Sequence, residues 1–264
     1  MPIFGSAPFL GAPRHSLLHP APYKQPSARM KRLLPFCLTL CLALSLQARH
    51  IIGGVITYEC LGNGRYLFTM KMYRDCYDPN GAFFDDPAPI AVYEDGNPTP
   101  LDTLFIPLQS FTDIEPDAPD PCLILPPNVC VQEGIYVFEY QFENWPNETS
   151  YHLSYQRCCR NATVTNIQTP DEVGATFTVE ITPRSQELCN NSPTYETFPP
   201  IVICGNEPLM FNHQATDPDG DQLIYEMCEP LIGGGRNFQN PNACNGITPL
   251  PPCPPPYQPV QYIS

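Results

Sequence analysis

Two long stretches of this chain alternate apolar and polar residues with a period of two, and that repeat constrains the fold more than anything else. Tyr66, Phe68, Met70 and Met72 interleave with Arg65, Leu67, Thr69 and Lys71. Tyr136, Phe138, Tyr140 and Phe142 interleave with Val137, Glu139, Gln141 and Glu143. Successive strand side chains point to opposite faces, so each stretch reads as a strand with one face in a core. A stripe of four aromatics can also serve as a carbohydrate platform, but core packing is its commoner use. Phe177, Val179 and Ile181 repeat the pattern against Thr178, Glu180 and Thr182. No stretch shows a capped apolar period of 3.6. The chain has 35 prolines in 264 residues, about 13% against a usual 5% or so. Proline breaks helices and sits at turns and sheet edges, so the chain is expected to be all-β.

Further strands are expected at Ile51 to Cys60, Ile90 to Tyr93, Leu101 to Leu108 and Tyr151 to Cys159. Asn63-Gly64 is a two-residue hairpin signal, and Gly53-Gly54 marks a bulge or a close approach. Segments 75–86 and 113–129, rich in aspartate and proline, read as loops. Short strands separated by turns imply an Ig-like β-sandwich over residues 50–195, with Phe68, Met70, Phe138, Tyr140, Phe177 and Val179 in its core. A boundary is expected where Pro193, Pro199 and Pro200 cluster. Residues 199–264 then read as the start of a second Ig/cadherin-like unit, with strands at Ile201 to Cys204, Leu209 to Asn212 and Leu223 to Met227. Its tail carries eight prolines from Pro241 to Pro259. These strands are too few to close a sheet pair, so the unit is expected to be incomplete and the chain to be part of a longer protein.

The segment from Met30 to Ala48 locates the protein. Met30-Lys31-Arg32 is a positive start, Leu33 to Leu46 is largely apolar, and Ala43-Leu44-Ser45 and Ala48 offer small residues for cleavage. That is the build of a secretory signal peptide, too short for a membrane span. Residues 1–29 precede it as an upstream segment, as a mis-assigned start would. The mature protein is expected to begin between Leu46 and His50, outside the cytoplasm.

Export gives the cysteines their meaning. Eleven follow the leader, at 60, 76, 122, 130, 158, 159, 189, 204, 228, 244 and 253, and in an oxidising compartment they read as disulfides. No Cys-x-x-Cys pair exists and the mature histidines are isolated, which argues against zinc. Cys60 and Cys76 flank the first hairpin and are expected to bridge, and Cys122 and Cys130 to pin the following loop. Cys158 and Cys159, if on a strand, would point to opposite faces and take different partners. The odd count leaves one thiol free or paired outside the chain.

Charge narrows the partners. All 27 acidic residues follow His50 and six of the 13 basic ones precede it, leaving 7 basic residues and a mature charge of −20. Such a chain lacks the clustered Lys/Arg that nucleic acid requires and is repelled by anionic lipid, so no direct membrane insertion is expected after signal removal. Its carboxylates suit hard cations. Asp217-Pro218-Asp219-Gly220-Asp221 places three of them at alternate positions around a glycine turn. Asp217, Asp219 and Asp221 are therefore candidate calcium ligands, with a plain Pro-Asp-Gly turn as the alternative. The loop is no EF-hand, because Gln222 and Cys228 stand where glycine and glutamate are required.

Around that loop, Ala215 to Tyr225 resembles the opening of bacterial cadherin-like and Ig-like surface repeats. His50 to Gly54, Ile56 to Cys60, Tyr73-Arg74-Asp75-Cys76 and Ser154 to Asn161 are similar to the N-terminal region of large secreted Bacteroidota proteins. Many of those end in a gliding-motility-associated sorting domain. The resemblance covers most of residues 50–235 and implies export followed by type IX delivery to the cell surface. With no catalytic motif in view, the chain is expected to be a non-catalytic module for adhesion or surface structure, with other surface proteins or extracellular glycans as partners, and the resemblance adds a link to gliding motility. The alternative is a carbohydrate-binding accessory domain of a secreted hydrolase. For catalysis itself, Asp85-Asp86, Glu139 and Glu143 read as turns and solvated strand faces rather than a glycosidase pair. His152 and His213 have no nucleophile motif beside them.

Overall fold

The computed structural model describes residues 51–77, 81–116, 124–161, 163–206, 208–235, 246 and 248–263. The leader, Cys122, Cys244 and the first part of the proline-rich tail lie outside the described residues. The described chain belongs to one compact unit and is an all-β sandwich. One sheet has the order β1 (Ile51–Gly62), β2 (Arg65–Asp75), β6 (Val131–Gln141), β5 (Ser110–Ile114). The facing sheet has the order β4 (Asp102–Ile106), β3 (Ala88–Glu94), β7 (Tyr151–Arg157), β8 (Ala175–Ile181). Every strand pair is antiparallel. The chain lays down two strands in one sheet, crosses over, lays down two in the other, and repeats.

The alternation expected from sequence is the alternation observed. Along β2, Tyr66, Phe68, Met70 and Met72 are buried while their neighbours are not. Phe68 and Phe138 face each other in register and stack with ring centroids 5.3 Å apart. Tyr140, Phe177 and Val179 are half-buried against this core. Asn63 and Gly64 turn β1 into β2 with φ of 54° and 75°, the doubly left-handed turn that matches strand twist and that Asn-Gly tolerates best. β1 bulges between Ile51 and Gly53. Helix α1 (Pro183–Leu188) was not expected: Thr182 caps it by accepting from the Ser185 amide, and Pro183 opens it. At six residues it is too short to show a period.

Each sheet is covered on part of its outer face. Strands β9 (Thr194–Tyr195) and β10 (Ala215–Thr216) form a small ribbon, and Phe198, beyond β9, packs on Tyr73 of β2. The tail returns over β3, β7 and β8: Tyr93 donates to the Pro252 carbonyl, Cys253 N donates to Gln156, and Tyr257 bonds Ser154. Residues 201–204, 209–212 and 223–227 form no strands, and Met210, Ile224 and Met227 are largely exposed.

The disulfides correct three expectations. Cys60 pairs with Cys189 and Cys76 with Cys130. Cys60 lies beside the hairpin turn, whereas Cys76 lies past the far end of β2. Eleven residues of strand at about 3.3 Å each keep them some 35 Å apart. Cys76 instead faces Cys130, and its amide donates to the Cys130 carbonyl at 3.1 Å, extending the β2–β6 ladder. Cys158 and Cys159 bond to each other, because β7 ends at Arg157 and the facing rule no longer applies. Sequence separations of 129 and 54 residues for the two long-range bridges make each worth about 4–5 kcal/mol in the chain-entropy model. Cys204 and Cys253 are also disulfide-bonded, and Cys228 is the free thiol among the described residues.

Two measurements check this packing. Phe138→Ala is expected to cost about 3–5 kcal/mol in denaturant unfolding, since a large stacked side chain leaves a cavity. A loss below about 1 kcal/mol would place the stripe outside the core. The second is alkaline stability. Burial pushes the Tyr93 phenol from 10.0 up to about 12, with Tyr257 adding to the effect. A raised folded value means that the native state holds a proton which the unfolded chain has lost. Stability is therefore intact below pH 10 and declines as pH rises through about 12, by about 1.4 kcal/mol per pH unit for each such tyrosine. Tyr93→Phe is expected to make the decline shallower by that amount.

Candidate functional site

Three alternate carboxylates in the sequence meet amide donors in the structure. Asp217 turns its Oδ1 onto its own loop, accepting from the Asp219 and Asp221 amides at 2.9 and 3.0 Å. This is the local bonding by which aspartate builds turns. Asp219 faces Asn191, accepting from its backbone N–H at 2.6 Å and its side-chain amide at 2.9 Å. Asp221 accepts from the Asn190 side chain at 2.5 Å. Among the described residues no three acidic, histidine or cysteine side chains are grouped so as to hold a metal ion. In this arrangement the loop is a turn and a clasp. It grips Asn190 and Asn191, which follow Cys189, and Asn191 Oδ1 in turn accepts from the Cys60 amide on β1.

The other acidic and histidine candidates are dispersed. Asp85 lies between the sheets, where Tyr155 and Arg157 reach it. Glu139 faces Arg65 across 3.9 Å at the surface. His152 sits 3.6 Å from Asp95. His213 packs edge-on against Tyr195 and Phe211.

The structure adds a site that no local motif announces: a groove of about 840 Å³ on the outer face of the first sheet. Its floor is the outward register of three strands, Val55 and Lys71, then Gly53, Tyr73 and Glu133, then Asp75 and Val131. Its other wall is residues 194–201 with His213. Tyr73 donates to Glu133 at 3.0 Å, and Lys71 lies 3.6 Å from the same carboxylate. Burial, followed by that carboxylate, pushes the Tyr73 phenol well above its ordinary value, so it stays a hydrogen-bond donor throughout the physiological range. Phe198 packs on the Tyr73 ring at 4.8 Å. Glu196 is held by Thr216 Oγ1 at 2.6 Å and by Gln214. The lining therefore combines aromatic rings with three carboxylates and one lysine. The only sequence hint was the outward set of β2 itself, since Lys71, Tyr73 and Asp75 are what the period-two rule leaves facing away from the core.

No protein-family model matches the chain, and neither curated proteins nor solved structures yield a match. Among the described residues no helix is long and apolar enough to cross a membrane.

The clasp is checked by a double-mutant cycle. Asp219→Ala and Asn191→Ala are each expected to destabilise the protein, with a coupling of about 0.5–1.5 kcal/mol, the usual net worth of such a bond. Strict additivity would mean that the two side chains do not share a bond in solution.

Proposed function

We propose that this chain is a non-catalytic module that works outside the cytoplasm at the cell surface, in adhesion or surface architecture. The observation that carries the reading is covalent. Cys60–Cys189 and Cys76–Cys130 staple distant parts of the sandwich, and such bridges persist where the surroundings are oxidising. The leader at residues 30–48 supports export. The groove supports a binding role: it offers rings, carboxylates and a phenol donor on a rigid sheet, and Glu133 is already engaged by Tyr73 and Lys71 rather than poised as a catalytic base. Delivery by the type IX route and a link to gliding rest on the resemblance of residues 50–235 alone.

Calcium belongs to the same reading. Asp217, Asp219 and Asp221 would take it only after releasing Asn190 and Asn191, which implies weak binding, with a Kd of about 10⁻⁴–10⁻³ M as in other extracellular modules. At 100 times its Kd the ion would add about 2.7 kcal/mol, lost in Asp219→Asn. An unchanged melting curve at about 100 mM calcium, 100 times the weaker of those Kd values, leaves the loop as turn and clasp.

The test of the main reading is made on cells. Exported material is expected to begin between Leu46 and His50, to be removed from intact cells by added protease, and to leave peptide and glycan panels uncleaved. Retention of Met30, or turnover of any panel member, overturns it.

A further inference from the structure

We propose that the groove binds an extended, positively charged peptide segment, laid along the free edge of β1. The inference rests on the proposed non-catalytic surface role and names the ligand class for it. Three observations converge.

The first is an open edge. β1 ends its sheet, and no strand pairs with its outer side among the described residues. At Tyr58 and Cys60 that side is closed by Ser192 and Asn191, which bond both backbone amides. By the strand repeat, Gly54 and Ile56 point their amides the same way as Tyr58, and no ladder covers them among the described residues. Edge backbone of this kind accepts an added strand.

The second is bare main chain. Ile52, Gly53, Gly54 and Val55 line the groove consecutively, and the two glycines present backbone without side chains. A Cβ at Gly54 would press on the Met72 side chain and the Phe177 ring on the core side of the sheet, and one at Gly53 would meet only Tyr73, at 3.8 Å. From Ile52 to Thr57 the edge is long enough for about five or six extended residues.

The third is charge. Asp75, Glu133 and Glu196 face one lysine, Lys71, and the aromatic partners are Tyr73 and Phe198. Rings beside an excess of carboxylate are the surroundings that an ammonium or guanidinium group seeks. An anionic glycan or peptide is repelled by the same lining, and a neutral glycan makes no use of an unpaired strand edge.

The experiment titrates the exported mature chain with a ten-residue peptide alternating lysine and valine, its glutamate–valine counterpart, and a panel of neutral oligosaccharides. The lysine peptide is expected to bind at least about tenfold tighter than the glutamate one, and to weaken as salt shortens the screening length from about 10 Å at 0.1 M to 3 Å at 1 M. Methylating alternate backbone nitrogens of the peptide, which removes its ladder bonds without altering the protein, is expected to weaken it about tenfold. Glu196→Gln is expected to weaken it about threefold, within the range an exposed charge pair contributes. Circular dichroism confirms that this variant is folded. Binding indifferent to both changes, or confined to neutral oligosaccharides, overturns the inference and leaves the surface role standing. Cleavage of the peptide during titration overturns the surface role instead.

Discussion

A buried ion pair at the point where the chain first changes sheets organises the rest of the molecule. Arg157, at the end of β7 and with a side chain 5% exposed, lies 3.4 Å from Asp85 and donates to the Phe83 carbonyl at 2.6 Å. Tyr155 donates to the same carboxylate at 2.6 Å, and Tyr136, from the facing sheet, donates to the Asp85 carbonyl at 2.7 Å. Arg74 holds the other flank, stacking over Phe83 at 4.6 Å and donating to the Ala82 carbonyl. Residues 82–85 carry the chain from β2 to β3, so side chains from both sheets fix one crossover. A buried charge without its partner is severely destabilising, whereas the intact pair has little net effect. The cluster therefore acts through specificity: only one relative placement of the two sheets satisfies it. Thr248 also reaches Asp85, at 3.2 Å, so the tail is registered on the same group.

Strand positions were readable in the sequence because one face of each strand is dry and the other is not. β2 and β6 show this cleanly, and Asn63-Gly64 sets their first turn. β5 escaped notice for the opposite reason. Ser110–Ile114 is an exposed edge strand, so no face of it needs to be apolar. Residues 201–204, 209–212 and 223–227 are short apolar runs that read as strands yet form none, because a local run reports what a segment could bury and not whether a partner lies beside it. Cysteine pairing was illegible on the same ground. Cys60 and Cys76 are near in sequence and far apart in space, because Cys60 lies at the turn end of β1 and Cys76 past the far end of β2.

The candidate sites divide in the same way. The aspartates at 217, 219 and 221 were conspicuous as a local motif, and the turn they make is the one Pro-Asp-Gly dictates. Their partners, Asn190 and Asn191, could not be inferred, since the contact depends on where α1 ends. The groove was hidden for a stronger reason. Its lining runs from Ile52 to His213, and each residue is ordinary where it stands. Only the register of β1, β2 and β6 brings Gly53, Tyr73 and Glu133 into one row.

That row is open to a ligand because of a bond made elsewhere. Cys60–Cys189 anchors the chain just after α1 to the turn end of β1. The next three residues then close the outer edge of β1 at Cys60 and Tyr58, where Ser192 both donates to and accepts from the Tyr58 backbone. Pro193 follows and cannot donate a further rung. The chain leaves the edge there, and β9 and Phe198 pass over the outer face instead, where Phe198 lands on Tyr73. Among the described residues no strand pairs with the edge from Ile52 to Val55 beneath that crossing. The asparagine clasp on Asp219 and Asp221 holds Asn190 and Asn191 from the other side, so the acidic loop and the strap on β1 share Asn191.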